Sequence, residues 1–456
     1  MEKLKLHLEK LLGDEFSAHD SRVFQELYAQ FMREPATIDW NKMRLVRPDV
    51  EIDYDSLQDF DCKMSTESVI NRMAVVKLNG GLGTTMGCKG PKSLIELRDG
   101  LTFLDFVLLQ HAKLNEKYKS DVPLILVNSF NTNKETVEAL KSKPEALRKN
   151  VRTFVQSRCP RIYADTFMPV PEHCNDHLED GWYPPGHGNV FESLSQSGML
   201  DQLLEEGREI AFFSNIDNTG ACFDMRIAKA MCSGLADYIM EVTPKTEADI
   251  KGGTLIELNG SLMHLEMPQV PEDKIDEFCS LKTFKMFNTN NIWVNLSAVK
   301  AKLGQMTMEI LANKKKLADG QNVIQLETSI GGAIRNFEKA ISVRVNRRRF
   351  LPIKSTQELL ALMSNCYYVD TEDYVVKLIP GRSSQPLIKL SPEFASVNEF
   401  MQRFASIPDL SELKCLKVTG DVRFGKNVKL VGNCEISSQN GEALTVADES
   451  ILGQTI

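Results

Sequence analysis

Residues 78–93 read LNGGLGTTMGCKGPKS and directly follow a short apolar run, so a strand passes here into a loop with five glycines. Because glycine has no Cβ, the backbone at Gly80 and Gly81 can approach a ligand closely and turn its N–H groups toward anionic oxygens. Lys89 and Lys92 add positive charge to the same loop. The stretch therefore predicts a buried strand that ends in a phosphate-binding loop.

Two familiar glycine motifs do not fit this loop. A Walker A loop needs a lysine directly after its last glycine, but Pro91 separates Gly90 from Lys92. A dinucleotide GxGxxG motif fails because Met86 stands where the third glycine should be. A glycine-rich turn needed only for tight packing is the alternative, and the lysines in the loop favour phosphate binding over it.

The pattern around the loop predicts an α/β fold. Short apolar runs alternate with helical stretches such as residues 101–118, which is typical of a largely parallel sheet with helices on both faces. Apolar residues three or four apart over residues 1–43 predict two amphipathic helices before the sheet. The apolar runs lie at residues 73–78, 122–128, 210–214 and 238–242.

The pattern changes again near the end of the chain. Val418, Phe424, Leu430 and Ile436 fall six residues apart with glycines at the corners, as in hexapeptide β-helices. A pair of antiparallel hairpins is the alternative interpretation. The expected parts are an N-terminal helical segment (1–64), a catalytic α/β domain (65–365) and a C-terminal β module with its linker (366–456).

The composition is that of an ordinary globular protein, with 42% apolar and 25% charged residues among 456. No signal-peptide core opens the chain, and no apolar stretch approaches the roughly 18 residues of a membrane helix. Ten cysteines lie singly along the chain, which suits a reducing compartment, so we expect a cytoplasmic protein with free thiols. The net charge of −8 disfavours nucleic acid as a partner and requires local cations for any anionic substrate.

Polar residues follow a second predicted strand. The segment FFSNIDN, residues 212–218, places Asn215 and Asp217 at the ligand edge of an open α/β sheet. An aspartate there can hold Mg²⁺ together with substrate phosphates. An aspartate at a strand end is as often a helix cap or a turn former, so this motif alone leaves both interpretations open.

Three other segments carry candidate residues. FVQSR contains Gln156, and the Pro- and Gly-rich loop WYPPGHGN, residues 182–189, presents His187. FNTNN supplies amide and hydroxyl side chains for sugar hydroxyls, and RRRFLPIK brings Lys354 after an arginine run that we expect to be solvated. His173, Cys174 and His177 could bind zinc, but a closed site needs four ligands and no second cluster stands nearby.

These segments together closely resemble, over nearly the whole chain, the eukaryotic UDP-glucose pyrophosphorylases, also called UTP:glucose-1-phosphate uridylyltransferases. The matching motifs are LNGGLGTTMGCKGPKS, NSFNT (128–132), QSR (156–158), WYPPGHGN, SNIDN (214–218), KGGT (251–254), FNTNN (287–291), NVIQLET (322–328) and RFLPIK (349–354).

The resemblance implies a Rossmann-like nucleotidyltransferase domain with a mixed sheet, a helical segment before it and a left-handed β-helix after it. It also implies a role for each matching residue. Residues implied to hold the uridine and its phosphates are Leu78, Asn79, Gly80, Gly81, Gln156 and Gly186. Residues implied at the glucose phosphate are His187 and Asn290, and Asn215, Ile216 and Asp217 border both ligands, with Asp217 on Mg²⁺. Lys92 and Lys354 are implied to lie against the reacting phosphates, and Gly80 and Gly81 to face both substrates.

The implied reaction joins UTP to glucose 1-phosphate with Mg²⁺ and releases pyrophosphate and UDP-glucose, a precursor for glycogen, glycans and glycoconjugates. A pyrophosphorylase for another sugar 1-phosphate and a non-catalytic scaffold with the same fold are the alternatives. The chain finishes sooner than the closing strand by which animal and yeast relatives build octamers, so we expect a monomer or a small homo-oligomer, with no membrane partner. Cys88, inside the loop, is a candidate for oxidative inhibition, although burial would make it inert.

Overall fold

The computed structural model describes residues 2–34, 37–59, 63–173, 179–438 and 442–453. Within these ranges the centre of the protein is an eight-stranded mixed sheet. In chain order its strands are β1 (Glu51–Asp53), β2 (Met73–Asn79), β3 (Leu124–Asn128), β4 (Val151–Val155), β5 (Ile210–Asn215), β6 (Tyr238–Pro244), β7 (Met286–Asn295) and β8 (Ala340–Arg344).

The strand order places two of the predicted motifs side by side. The order is β1-β8-β6-β7-β5-β2-β3-β4, and every neighbouring pair is parallel except the two that include β7. Asn215 at the end of β5 pairs with Leu78 near the end of β2, so the loops after both strands leave the sheet at the same edge. The predicted parallel arrangement is confirmed, and β7 is an antiparallel strand that the sequence analysis did not predict.

Helices cover both faces of the sheet, as predicted. Because side chains alternate along a strand, Val75 and Phe212 pack with helices on one face, while Val76 and Phe213 pack with helices on the other. The helices are Glu2–Leu11, Ala18–Arg33, Thr66–Ile70, Phe103–Tyr118, Asn133–Lys141, Glu145–Arg148, Val190–Gln196, Met199–Glu205, Met225–Cys232, Ile275–Phe278, Leu296–Lys302, Thr356–Met363 and Val397–Gln402. In the described part of the chain, none of them is both long and apolar enough to cross a membrane.

The two predicted N-terminal helices are present and support a loop of the site. Leu4 and Leu8 of the first helix and Phe24 of the second are buried in one cluster with Trp182 and Tyr183. The second helix begins with a capping box on Ser17. These helices therefore form a layer beneath the WYPPGHGN loop.

Shorter strands lie around the central sheet. One three-stranded sheet combines Met43–Leu45, Thr254–Leu258 and Ser261–Leu265, and another combines Ile310–Lys316, Asn322–Thr328 and Ile162–Tyr163. Two-stranded pairs are Glu96–Arg98 with Leu101–Thr102, Cys159–Pro160 with Trp182–Tyr183, and Tyr367–Val369 with Val376–Leu378.

The C-terminal part consists of short parallel strands between residues 387 and 452, and this region is called the C-terminal coil. Its ladders are Leu387–Leu390 with Leu413–Thr419 and Gly432–Ser437, Val422–Phe424 with Leu444–Val446, and Lys429–Leu430 with Ile451–Leu452. Val418, Phe424 and Leu430, which are six residues apart, are all buried. Because these pairs are parallel, the alternative of antiparallel hairpins is wrong.

This coil packs directly on the glycine loop. Met86 in the loop is buried in one cluster with Phe394 and Phe400 at the start of the coil. A Cβ on Gly87 would lie 2.5 Å from the Cβ of Ser396. The hydrophobic core of the coil is thus continuous with the base of the predicted phosphate-binding loop.

Candidate active site

The glycine loop has one packed side and one open side. A Cβ on Gly80 would lie 2.2 Å from Gln156 Nε2, whereas a Cβ on Gly81 would meet no atom within 4 Å. The Ser129 hydroxyl donates to Gly80 O at 2.8 Å, and the Lys92 backbone N–H donates to Gly81 O at 3.2 Å. Gly80 therefore makes room for the Gln156 amide, and Gly81 leaves the backbone open to a ligand.

The side chain of Asn79 is committed to the fold. Its Nδ2 donates to Asn128 Oδ1 at 2.8 Å and to Thr136 Oγ1 at 3.0 Å, and the residue is 1% exposed. Thr132 Oγ1 donates to Asn79 O at 2.7 Å. The NSFNT motif therefore stabilises the base of the glycine loop, while the buried Asn79 Oδ1 has no hydrogen-bond partner among the described residues.

The loop after β5 brings the predicted metal ligand to the predicted catalytic lysine. Ile216 donates its N–H to Leu78 O at 3.1 Å, and its buried side chain belongs to the core. Lys92 Nζ donates to Asp217 Oδ2 in an ion pair whose side chains are 17% and 14% exposed. Asn215, at the last position of β5, is half-buried beside them. Two segments 125 residues apart thus meet at one carboxylate.

The segment that carries Lys354 is joined to the same loop. Asn218 and Pro352 form an isolated bridge, and Leu351 donates its N–H to Asn218 Oδ1 at 2.8 Å. Lys354 is exposed, and its Nζ lies 5.8 Å from the centroid of the Phe287 ring. Within the described residues its ammonium forms no ion pair, so it is available to an anionic ligand.

His187 is held as a neutral hydrogen-bond donor. Burial lowers the pKa of His187 to about 4, so the ring is neutral at pH 7. Its Nδ1 accepts the Ile330 N–H at 2.9 Å, which leaves the ring proton on Nε2. A Cβ on Gly186, whose φ is +82°, would lie 2.4 Å from Thr328 O. Gly186 therefore lets the WYPPGHGN loop pack against the NVIQLET strand, which fixes the orientation of the His187 ring.

Asn290 reaches His187 through a bulge in β7. Between the pairs Met240–Ile292 and Val242–Asn288 the register shifts, and Asn290 has a φ of +57°. Bulges re-aim side chains beside functional sites, and asparagine tolerates this left-handed backbone better than most residues. Asn290 Nδ2 lies 3.5 Å from His187 Nε2, so the structure brings these two predicted residues together.

Sequence reasoning missed two groups beside this pair, the buried His264 and the half-buried Glu266. His264 Nε2 lies 3.0 Å from Asn288 Nδ2, and burial lowers its pKa to about 4. Burial raises the pKa of Glu266, while the neighbouring His187 and Lys354 lower it. The KGGT motif was the available signal, because a Cβ on Gly253 would lie 2.4 Å from His264 Nε2 and 2.8 Å from Glu266 Cδ.

The arginine run contains a further residue that was missed. Arg349 was expected to be solvated, but it is 9% exposed and forms an ion pair with Glu241. Its two neighbours in the run are half-buried and exposed. A run of like residues gives no local sign of which member points inward, so only the tertiary structure identifies it.

The remaining sequence candidates add no ligand. Cys174 and His177 lie outside the described residues, and among the described ones there is no group of three or more potential metal ligands. Burial raises the pKa of the Cys88 thiol, which lowers its reactivity at neutral pH. Asp217 remains the predicted metal ligand, because it is the carboxylate beside the glycine loop.

The arrangement has the parts needed to bring phosphates together. An open glycine backbone, an aspartate at the adjacent strand end and two lysines surround the edge of an α/β sheet where ligands bind. His187, Asn290 and Glu266 add groups suited to a polar, hydroxylated partner. Fold and site therefore define a nucleotide-dependent transferase.

Comparison with known proteins identifies the family. The family model described as UTP–glucose-1-phosphate uridylyltransferase matches residues 21–431, and the chain belongs to this family. It is 45% identical over 447 residues to the UTP–glucose-1-phosphate uridylyltransferase of Hordeum vulgare, which covers 96% of this chain and 93% of the relative.

Solved structures agree with this assignment. A variant of Leishmania major UDP-glucose pyrophosphorylase in complex with UDP-glucose superposes with a TM-score of 0.89 at 30% identity, over 99% of this chain and 98% of that one. A Trypanosoma brucei protein described as UDP-glucose phosphorylase gives a TM-score of 0.87 at 33% identity, with 99% and 98% coverage. The resemblance seen in the sequence motifs is confirmed.

Proposed function

We propose that this protein transfers the uridylyl group of UTP to glucose 1-phosphate in one in-line displacement, supported by Lys92, Asp217 and Lys354. A phosphate oxygen of glucose 1-phosphate attacks the α-phosphorus of UTP. The bond from that phosphorus to the bridging oxygen breaks, and pyrophosphate leaves with the electron pair. Family membership supports the reaction, and the Lys92–Asp217 pair beside the open glycine loop is the observation that carries its assignment to this site.

The nucleotide would lie against the glycine loop. Gly81 leaves its backbone accessible, and the Gln156 amide packs on Gly80 where a base or ribose could meet it. Leu78 and Asn79 stand at the strand end beside the loop, where Asn79 Oδ1 has no hydrogen-bond partner among the described residues. Gly186 would border the same pocket from the opposite loop.

The sugar phosphate would lie between the glycine loop and β7. His187 can donate from Nε2 to an oxygen, because its Nδ1 is already an acceptor. Asn290 lies next to it, and the backbone of Asn215 and Ile216 borders the space on the β5 side. Hydroxyl groups of a sugar suit this set of neutral donors and acceptors.

The residues fit a magnesium ion held mostly by substrate. At nucleotide sites Mg²⁺ is usually bound by one or two carboxylates and by phosphate oxygens. Asp217 supplies such a carboxylate, and its Oδ1 makes no hydrogen bond within the described residues. When bound, Mg²⁺ would neutralise charge on the reacting phosphates.

The protein's own task is to position two anions and to neutralise them. Holding two reactants in a reactive geometry can lower the barrier by roughly 7–11 kcal/mol. Lys92 and Lys354 place positive charge where the equatorial and leaving oxygens become more negative. No protein base is required, because the attacking phosphate is already ionised at pH 7.

We also propose the expected organisation for this chain: a helical segment (1–64), a catalytic domain (65–365) and a left-handed β-helix with its linker (366–456). The parallel ladders and the six-residue spacing of buried positions support the last part. A cytoplasmic monomer is the proposed working form.

Pyrophosphate release from purified protein tests the proposal. With UTP and Mg²⁺, we expect rapid release with glucose 1-phosphate and loss of release after EDTA. Preference for galactose 1-phosphate or N-acetylglucosamine 1-phosphate would contradict the assigned sugar. Absence of pyrophosphate release with all three sugar 1-phosphates would contradict catalysis and favour a non-catalytic scaffold.

A further inference from the structure

A buried ion pair joins the central sheet to the segment that leads to Lys354. Arg349 Nε donates to Glu241 Oε2 at 2.7 Å, and a terminal nitrogen of its guanidinium donates to Oε1 at 2.6 Å. Glu241 is 0% exposed, and its carboxylate also accepts from Trp293 Nε1 at 2.9 Å and Asn291 Nδ2 at 3.0 Å. Four donors therefore fix one carboxylate of β6.

Stability alone does not account for such a pair. Desolvation offsets much of the attraction between buried charges, so a buried ion pair is weak evidence for a gain in stability. The pair is also neutral overall, so it adds no net charge to the site above it. Its distinctive property is geometry, because a guanidinium fork bound to a carboxylate fixes both orientation and distance.

Hydrogen bonds connect Arg349 to both loops of the proposed site. Arg349 O accepts from Asn218 Nδ2 at 3.2 Å and from Asn291 Nδ2 at 3.1 Å. Asn218 also accepts the Leu351 N–H at 2.8 Å and bridges to Pro352. Asn218 directly follows Asp217, and Pro352 stands two residues before Lys354.

The Arg349 side chain also contacts a third part of the same region, residues 222–224. Its guanidinium donates to Cys222 O at 2.9 Å and lies 3.7 Å from Asp224 Oδ2. Cys222 lies in the chain that continues from Asp217, so Arg349 holds this segment with its side chain and with its backbone. Loss of the two hydrogen bonds between Arg349 and Glu241 would therefore free both segments from β6 together.

We infer that the Arg349–Glu241 pair is a positioning element of the reaction, which holds Asp217 and Lys354 in a fixed relation through Asn218. The inference rests on the function proposed above. Arg349 and Glu241 are positioning residues, since nothing places either one against substrate. The link through Asn218 leads to Asp217 and Lys354 at the reacting phosphates, while a link through Asn291 leads to Asn290 at the sugar. Because Asp217 and Lys354 are both reached, the pair should govern turnover more than substrate affinity.

Steady-state kinetics of Arg349→Lys test this inference, with kcat expressed per folded molecule. Lysine keeps the positive charge but cannot form the two parallel hydrogen bonds that the guanidinium makes with the Glu241 carboxylate. We expect kcat to fall by about 10- to 100-fold, because a misplacement of about 1 Å can cost about 100-fold, while the KM values for UTP and glucose 1-phosphate stay nearly unchanged. Arg348→Lys, next in the chain and exposed, is the matched control and should keep wild-type kinetics.

A double-mutant cycle separates positioning from plain structural support. Asn218→Ser leaves the ion pair intact but removes the side-chain hydrogen bonds that join Asn218 to the Leu351 N–H and to the Arg349 carbonyl. If the pair acts through Asn218, the double variant Asn218→Ser with Arg349→Lys should lose no more kcat than the worse single variant. If Arg349→Lys does not fold, Glu241→Gln replaces it in the same cycle.

The results of these experiments test the inference and the proposed function separately. Wild-type kcat in the folded lysine variant, a raised KM with unchanged kcat, or additive losses in the cycle would overturn the positioning role. Absence of UTP-dependent pyrophosphate release in both wild type and Arg348→Lys would instead refute the proposed function.

Discussion

Replacing Lys354 with alanine should remove catalysis and leave the fold intact. The side chain is exposed and, within the described chain, forms no ion pair; its charge lowers the pKa of Glu266, which keeps Lys245 as a second cationic neighbour after the substitution. The free energy of unfolding should change by less than about 0.5 kcal/mol, as for other surface substitutions. The thermal melt should therefore match that of the wild type.

The kinetic loss should be large, because the exposed ammonium forms no ion pair within the described structure and can turn to the charge that develops in the transition state. Two unit charges about 4 Å apart interact by about 4 kcal/mol at an effective dielectric constant near 20. Removal of one transition-state donor elsewhere costs about 2.7–4 kcal/mol, or about 10²- to 10³-fold in kcat. The two figures agree, so we expect a loss in that range for Lys354→Ala.

Pyrophosphate release at saturating UTP and glucose 1-phosphate, paired with a thermal melt, is the assay. Lys389→Ala, which removes an equally exposed lysine from the C-terminal coil, is the matched control and should leave both readouts unchanged. A Lys354→Ala enzyme that melts normally and keeps near-normal kcat would refute the role given to this lysine. A lower melting temperature would refute the reasoning about its exposure.

Three further predictions follow from the site. Gly80→Ala should raise the KM for UTP, because its Cβ would lie 2.2 Å from the Gln156 amide; an unchanged KM would contradict packing at that contact. Asp217→Asn should raise the Mg²⁺ concentration needed for half-maximal rate, and a metal titration identical to wild type would exclude Asp217 as a ligand. Burial lowers the pKa values of His187 and His264 from 6.5 to about 4, so the unfolded chain binds more protons between these values. The free energy of unfolding should thus rise with pH from about 4 to 6.5, by up to about 1.4 kcal/mol per unit for each histidine. Urea melts across this range should show a smaller slope in His264→Asn.

Local pattern was sufficient to predict the elements of the fold. The apolar runs became β2, β3, β5 and β6, the N-terminal leucines face a core, and the six-residue spacing marks the buried positions of the coil. These features depend on residues near one another in the chain, because helix and strand periods repeat over a few positions. The same holds for the glycine loop, whose chemistry lies within one short segment.

The roles of several site residues could not be predicted from such patterns. Asn79 is predicted to meet the nucleotide, and what the sequence did not show is that its amide nitrogen donates to Asn128 and Thr136. The FNTNN motif was treated as a source of polar groups, but it belongs to an antiparallel strand whose bulge turns Asn290 toward His187. In each case a partner distant in the chain decides where the side chain points.

The sequence by itself determined that this chain has an α/β sheet with a glycine-rich loop at the end of a strand, and its motifs determined the family. Only the tertiary structure decided which polar residues act together. Lys92 meets Asp217 across 125 residues, and Arg349 meets Glu241 across 108. Neither pair leaves a periodic signal, because an ion pair needs two side chains at one point in space and no fixed spacing along the chain.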